Sequence, residues 1–427
     1  MSKKRLETLA LHAGHTPDQD TLSRAVPIYR TSSYLFKSTQ HAADLFDLKE
    51  QGNIYTRLGN PTQDILEKRV AEMEGGAAAL AVASGTAAIQ YSIINICSAG
   101  DEFVTANNLY GGTYTMFHDI LPQFNIKANF VDPTDPHHFE NAITKNTKLI
   151  YIETIGNPTL GITDIEAVAE IAKRHHLPLI VDSTFTTPYL LRPIEYGANI
   201  VVHSLTKWMG GHGTGIGGIV VDAGNFDWTD EKFPLYNEPD PSYHNIRYAH
   251  DLGDMNPVAF AVRMRLVPLR NLGACISPDN AWMFLQGIET LPLRMECHSE
   301  NALHVAKYLK KHKKVQWVRY PGLKGDPSYP LSKKYLKKGA GSMVVFGVKG
   351  GREAGRMFIE RLQLISHLAN VGDAKSLAIH PASTTHSQMS EEQQKAAGLS
   401  PELVRLSIGI EHIDDIVSDI EQALMKI

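Results

Sequence analysis

A chain of 427 residues with 43% hydrophobic and 21% charged side chains can bury a large core and is long enough for two or three domains. Its net charge of −4 and isoelectric point near 6.5 leave no electrostatic footprint for nucleic acid or an anionic membrane. Three cysteines at no metal-ligand spacing, Cys97, Cys275 and Cys297, argue against a disulfide framework or a zinc site and fit a reducing, cytoplasmic setting.

The first residues are basic but lack the apolar stretch of a signal peptide, and no run approaches the ~20 residues that span a bilayer. Residues 1–60 show little periodicity and many polar, Pro and Gly residues, which predicts an extended arm without a core of its own. The arm ends in Tyr55-Thr56-Arg57-Leu58-Gly59-Asn60-Pro61-Thr62. Asn60 suits an N-cap, Pro61 the first helical position and Gln63 the return partner of a capping box. A helix through Ile65, Leu66, Val70 and Met73 should stop at Gly75-Gly76. Tyr55 and Arg57 then stand just outside a helix start, free to reach beyond it.

Leu80 to Ala83 reads as a short strand, followed by Ser84-Gly85-Thr86-Ala87-Ala88 and an apolar helix to Ile96. Strand, small residues, then helix is how a backbone cradles a phosphate, because first-turn N–H groups and the helix dipole both favour an anion. The same residues also make a tight strand-to-helix turn, so this signal alone decides nothing. A strand at 103–106 leads to Tyr110-Gly111-Gly112-Thr113, where Tyr110 could lie flat on a planar ring.

From 149 to 204 the pattern alternates strand and helix. Strands at 149–154, 179–182 and 200–203 deliver Asn157, Asp182 and Lys207 at or beyond their C-terminal ends, the edge where open α/β sheets bind ligands. A carboxylate closing an apolar strand is costly to bury without a partner. A lysine just beyond a buried strand is a Schiff-base candidate, since burial lowers its pKa and frees the amine. Ser204 and Thr206 beside it could bond a phosphate. The glycines at 213–218 match G-x-G-x-x-G but run into another strand, Ile219-Val220-Val221, instead of opening a helix. A nicotinamide-dependent oxidoreductase is rejected on that ground. Residues 222–278 read as irregular. One long helix is expected from Asp279, its lysines at 307–314 forming a solvated face. Beyond it come strands near 342–346 and 405–410, the second opened by Arg405, and a closing amphipathic helix from Ile413.

Taken together, Tyr55-Thr56-Arg57, Ser84-Gly85-Thr86, Tyr110-Gly111-Gly112-Thr113, Glu153-Thr154 with Asn157-Pro158-Thr159, Val181-Asp182, Ser204-Leu205-Thr206-Lys207 and Arg405 resemble the pyridoxal-5′-phosphate (PLP) enzymes of cysteine and methionine metabolism, over nearly the whole chain. The resemblance implies an α/β protein of PLP-dependent fold type I, aspartate-aminotransferase-like, with a large, mostly parallel sheet and a smaller C-terminal α+β domain. The expected division is an arm at 1–60 contacting a neighbouring subunit, a PLP-binding domain at 61–278, and a linking helix with the small domain at 279–427. The implied assembly is a homotetramer, a dimer of dimers with sites shared across the dimer.

The resemblance also implies roles. Lys207 would carry the cofactor and serve with Tyr110 in catalysis. Asp182 would keep the pyridine nitrogen protonated, Tyr110 would stack on the ring and Asn157 would bond its 3-oxygen. Gly85, Thr86, Ser204 and Thr206 would hold the phosphate, joined by Tyr55 and Arg57 from the neighbouring subunit. Arg405, Asn370 and Tyr55 would bind substrate, and no metal is implied. Within the family, the segment Asn370-Val371-Gly372-Asp373-Ala374-Lys375-Ser376 is most similar to the O-acetylhomoserine sulfhydrylase branch. Cystathionine-processing members carry Ser-Leu-Gly-Gly-x-Glu-Ser there, and Lys375 stands in place of their acidic residue. The expected substrates are therefore O-acetylhomoserine with sulfide or a small thiol. Cystathionine γ-synthase or methionine γ-lyase chemistry is the alternative.

Overall fold

The computed structural model describes residues 4–384 and 400–427. Two short helices precede the first sheet, α1 (Leu6–His12) and α2 (Thr39–Phe46). The arm is thus less bare than its polarity suggests. Leu6, Leu9 and Ala10 recur at helical spacing and are buried as α1 packs on α3 (Pro61–Glu74). Asn60 caps α3 through its side chain, which accepts from Thr62 N at 3.0 Å, and Gly75 ends it at φ 78°. No capping box forms, because Gln63 is buried and donates instead to the Ile276 carbonyl.

The first sheet has seven strands in the order β1 (Ala78–Val82), β7 (Gly218–Asp222), β6 (Ile200–Ser204), β5 (Leu179–Asp182), β4 (Thr147–Glu153), β2 (Glu102–Ala106) and β3 (Lys127–Val131). All run parallel except β7, which pairs antiparallel with both neighbours. The strands β4, β5 and β6 are apolar runs buried on both faces, as strands covered by helices must be. The covering helices include α4 (Gly85–Ile94) and α5 (Ile165–Arg174).

Residues 222–278 are more helical than their Pro and Asp content predicts. Helical turns run without interruption from Ala259 to Leu272 and bury Phe260, Met264, Leu266 and Leu269. Pro257 and Pro268 mask that spacing, and the turn holding Pro268 is widened to a π-helix. The single long helix expected from Asp279 is two, α6 (Pro278–Glu289) and α7 (Leu291–Lys311). The break falls where Pro292, lacking an N–H, cannot continue the ladder of α6. Helix α7 packs on the second sheet, of order β10 (Ser366–His367), β11 (Leu377–Ile379), β12 (Leu403–Ser407), β9 (Met343–Val348) and β8 (Val315–Arg319). The closing helix α8 (Ile413–Met425) covers α7 with Ile416, Ile420 and Leu424. Arg405 does not open a strand. It sits in the middle of β12, an interior strand paired on both sides.

Candidate active site

The carboxyl ends of β4, β5 and β6 open into a cavity of about 270 Å³. Parallel pairing in register sets Glu153 beside Asp182 and Asp182 beside Val202, so that two carboxyl groups stand side by side at the sheet edge. Lys207 follows three residues after β6 ends, and the loop around Asn370 together with Arg405 of β12 closes the cavity from the second sheet. Residues distant in sequence meet here because the two sheets face each other across this edge.

The Lys207 amine donates to Asn370 Oδ1 at 2.6 Å, and Arg405 Nη1 donates to Asn157 Oδ1 at 3.0 Å. Burial, reinforced by the charge of Arg405, lowers the Lys207 amine to about 8. Burial also lowers Arg405, to about 10. The Asp182 carboxyl is pushed up by burial, but the Thr184 side chain and its N–H, which donates to Oδ1 at 2.8 Å, favour the charged form. Glu153 is driven well above the carboxylate range, first by burial and then by the charge of Asp182. Of the two carboxyl groups, Glu153 is the one driven more strongly toward its protonated form.

Tyr110, 52% exposed, presents its ring to the cavity, and its backbone N–H donates to Glu153 Oε1 at 2.8 Å. Gly112 must be glycine for this placement, since a Cβ there would lie 2.7 Å from the Tyr110 ring. Gly85 and Thr86 begin α4 at the cavity wall, where a helix has unpaired N–H groups, with Ser84 capping through Ala87 N at 3.0 Å. Gly85 approaches Ser204 so closely that a Cβ would stand 2.6 Å from the Ser204 Cβ. Thr206 is bracketed by both backbone groups of Gly217, at 3.3 and 3.1 Å. Gly218 lets β7 pass the Ser84 carbonyl, 2.1 Å from where a Cβ would be. The 213–218 glycines thus serve close packing and lead into a strand, with no dinucleotide turn.

The structure brings Tyr110, Gly85, Thr86, Asn157, Asp182, Ser204, Thr206, Lys207, Asn370 and Arg405 to one cavity. Tyr55 and Arg57 do not line it in the same chain. Arg57 lies over the Tyr55 ring at 5.0 Å, and its buried Nε has no partner. Sequence reasoning named Glu153 only within a motif and overlooked Thr184, whose hydroxyl accepts from Ser204 N at 2.9 Å. Glu153 closes an apolar strand as Asp182 does, and the same cost-of-burial argument would have found it.

These residues suit PLP on observations of this cavity alone: a buried amine whose pKa is lowered to about 8, a buried carboxyl group with no cation bonded to it, and a small-residue cradle at a helix start. Comparison with known proteins points the same way. The family model for Cys/Met metabolism PLP-dependent enzymes matches residues 7–425. An O-acetyl-L-homoserine sulfhydrylase of Leptospira meyeri is 54% identical over 99% of this chain and 97% of its own. A homocysteine synthase of Schizosaccharomyces pombe is 49% identical, over 99% of each. A solved structure of a Campylobacter jejuni protein named for O-acetylhomoserine (thiol)-lyase activity, bearing N′-pyridoxyl-lysine-5′-monophosphate, superposes with a TM-score of 0.95. It is 42% identical and covers 99% of this chain and 100% of its own.

Proposed function

The chain belongs to the Cys/Met metabolism PLP-dependent enzymes, and from that membership we propose that it converts O-acetyl-L-homoserine and sulfide to L-homocysteine and acetate. The observation that carries the reading is the pairing of Lys207 and Asp182 in one buried cavity faced by Arg405. Relatives named sulfhydrylase and homocysteine synthase at about half identity supply the reaction.

PLP, when bound, supplies an aldehyde for covalent attachment and a ring that accepts the electrons of a broken Cα–H bond. Lys207 is the side chain that would hold it, and its freed amine would take the proton from substrate Cα and then one from Cβ, so that acetate can leave Cγ, and would return protons to these carbons after sulfide has added. Its lowered pKa leaves a usable fraction neutral near pH 7 to 8. Asp182 would keep a proton on the ring nitrogen, and Asn157 would bond the 3-oxygen. Gly85, Thr86, Ser204 and Thr206 would hold the phosphate. Tyr110 would cover the ring and serve as a second acid or base. Arg405 would bind the substrate α-carboxylate, with Asn370 and Tyr55 as further substrate contacts, leaving Cγ free for loss of acetate and entry of sulfide.

The reading includes a division at about residues 60 and 278 into arm, cofactor-binding domain and small domain. It also includes a cytoplasmic homotetramer in which Tyr55 and Arg57 complete a neighbour's site. The three cysteines are free, and among the described residues no helix is long and apolar enough to cross a membrane. Product formation from O-acetyl- and O-succinylhomoserine, each with sulfide and with cysteine, tests the reaction. Homocysteine from the acetyl ester and sulfide is expected to dominate. Faster cystathionine formation from the succinyl ester would overturn the reading.

A further inference from the structure

The contact between Lys207 and Asn370 joins residues 163 positions apart and is the shortest polar contact of the lysine. Both ends are held firmly. On the Asn370 side, Val371 is buried, Gly372 N donates to Ser407 Oγ at 3.0 Å, and Ala374 N donates to the Gly211 carbonyl at 2.8 Å. Gly372, at φ 80°, lies so close to the residue after the lysine that a Cβ would stand 2.7 Å from Trp208 N. The turn carrying Lys207 and the loop carrying Asn370 are therefore one packed unit, and the Asn370 amide is aimed at the amine by its backbone.

We propose that Asn370 is the acceptor of the free Lys207 amine, holding it on Oδ1 whenever the amine is released from its covalent bond, and so is a positioning residue for the base of the reaction as well as a substrate contact. The inference rests on the reading of Lys207 as the proton carrier given above. An amide suits the task. It accepts a hydrogen bond but takes no proton and brings no charge, so it anchors the amine without forcing it to stay an ammonium ion. A carboxylate at the same place would do so. The other ionisable groups facing the amine are Arg405 from β12, Asp182 from β5, Glu153 from β4 and Tyr110 from the loop after β2. Arg405 opposes the ammonium form, which leaves the amine near 8.

The test uses the full chain freed of cofactor, with Lys207 titrated by trace labelling with acetic anhydride across the neutral and alkaline range and read by mass spectrometry of its peptide. The wild-type midpoint should lie near 8. Asn370→Ala removes the acceptor that stabilises the ammonium and should lower the midpoint by about one pH unit. Asn370→Asp, nearly isosteric, should raise it by about 1 to 3 units. In the cofactor-loaded enzyme Asn370→Asp should lower kcat near neutrality and move the rising limb of its pH profile upward. An unmoved midpoint in Asn370→Ala, with KM raised and kcat kept, overturns the proposal and leaves Asn370 as a substrate contact only. The titration needs no substrate, so a failure of the acetylhomoserine reading would show in the product assay and leave this result intact.

Discussion

At the scale of single residues, the site turns on two carboxyl groups in register at adjacent strand ends, of which only one can bear charge without a bound cation. Asp182→Asn should keep the fold and the cofactor but lose proton abstraction, because an amide cannot hold a proton on the ring nitrogen. The loss should be on the order of 3 kcal/mol, about 10²-fold in kcat, and near-normal turnover would sink the assignment. For Glu153 the expectation is the reverse. As an acid driven toward its neutral form and bonded to the Tyr110 backbone, it should tolerate Glu153→Gln with little change in rate, while the difference infrared spectrum of variant against wild type shows the loss of one carboxylic acid C=O band. Retention of that band in the variant would place the proton elsewhere. Asp182 and Lys207 were legible in the sequence because charge at the end of an apolar strand is costly and needs a reason. The bond from Lys207 to Asn370 was not, since no local pattern tells which of two distant loops will meet.

At the scale of elements, legibility followed periodicity. Strands β4, β5 and β6 were plain as apolar runs, whereas the helical turns from 259 to 272 hid behind two prolines. The capping box failed because a tertiary partner, the Ile276 carbonyl, outbid a local one for Gln63. The loop after β10 offers a test of how an element positions the site. Gly372→Ala puts a Cβ on a left-handed residue already against Trp208. It should cost roughly 1–3 kcal/mol of stability and lower kcat by shifting Asn370. Helix α7 carries a pH sensitivity of its own through His298, which is buried with Nδ1 on the Ile408 carbonyl at 2.7 Å and lowered by burial to about 4. Between the ordinary value of 6.5 and about 4 the unfolded chain binds the proton and the folded chain does not. This residue's contribution is therefore full above 6.5 and lost as pH falls toward 4, by about 3 kcal/mol. Asp222, raised to about 6 by burial, works in the opposite sense over part of that window. Wild type and His298→Gln must be compared at the same pH, where the Asp222 effect cancels. The variant should show the flatter fall of denaturation midpoint on acidification.

For the whole molecule, the residues that fail to join the cavity matter as much as those that do. Tyr55 and Arg57 are proposed to reach a phosphate, yet in their own chain they do not line the cavity of Lys207, and the Arg57 Nε is buried and unpartnered. The same arm leaves Leu22, Leu35 and Phe36 in solvent, Leu35 being 99% exposed. A single sequence hinted at this only negatively, as a segment without periodicity, which is what the proposed docking of the arm on another copy would leave. If the arm completes a neighbour's site, Arg57→Ala should weaken cofactor affinity by roughly 1.5–3 kcal/mol, as loss of a charge-assisted bond to phosphate does. It should do so without altering the pKa of Lys207. The decisive measurement is complementation. Arg57→Ala and Lys207→Ala chains, each with little or no activity, are unfolded together and refolded. In a mixed dimer with shared sites, one site carries both defects and the other carries neither, so activity returns in proportion to the mixed species. Sites built within single chains would each keep one defect, and the refolded mixture would do no better than the two variants alone.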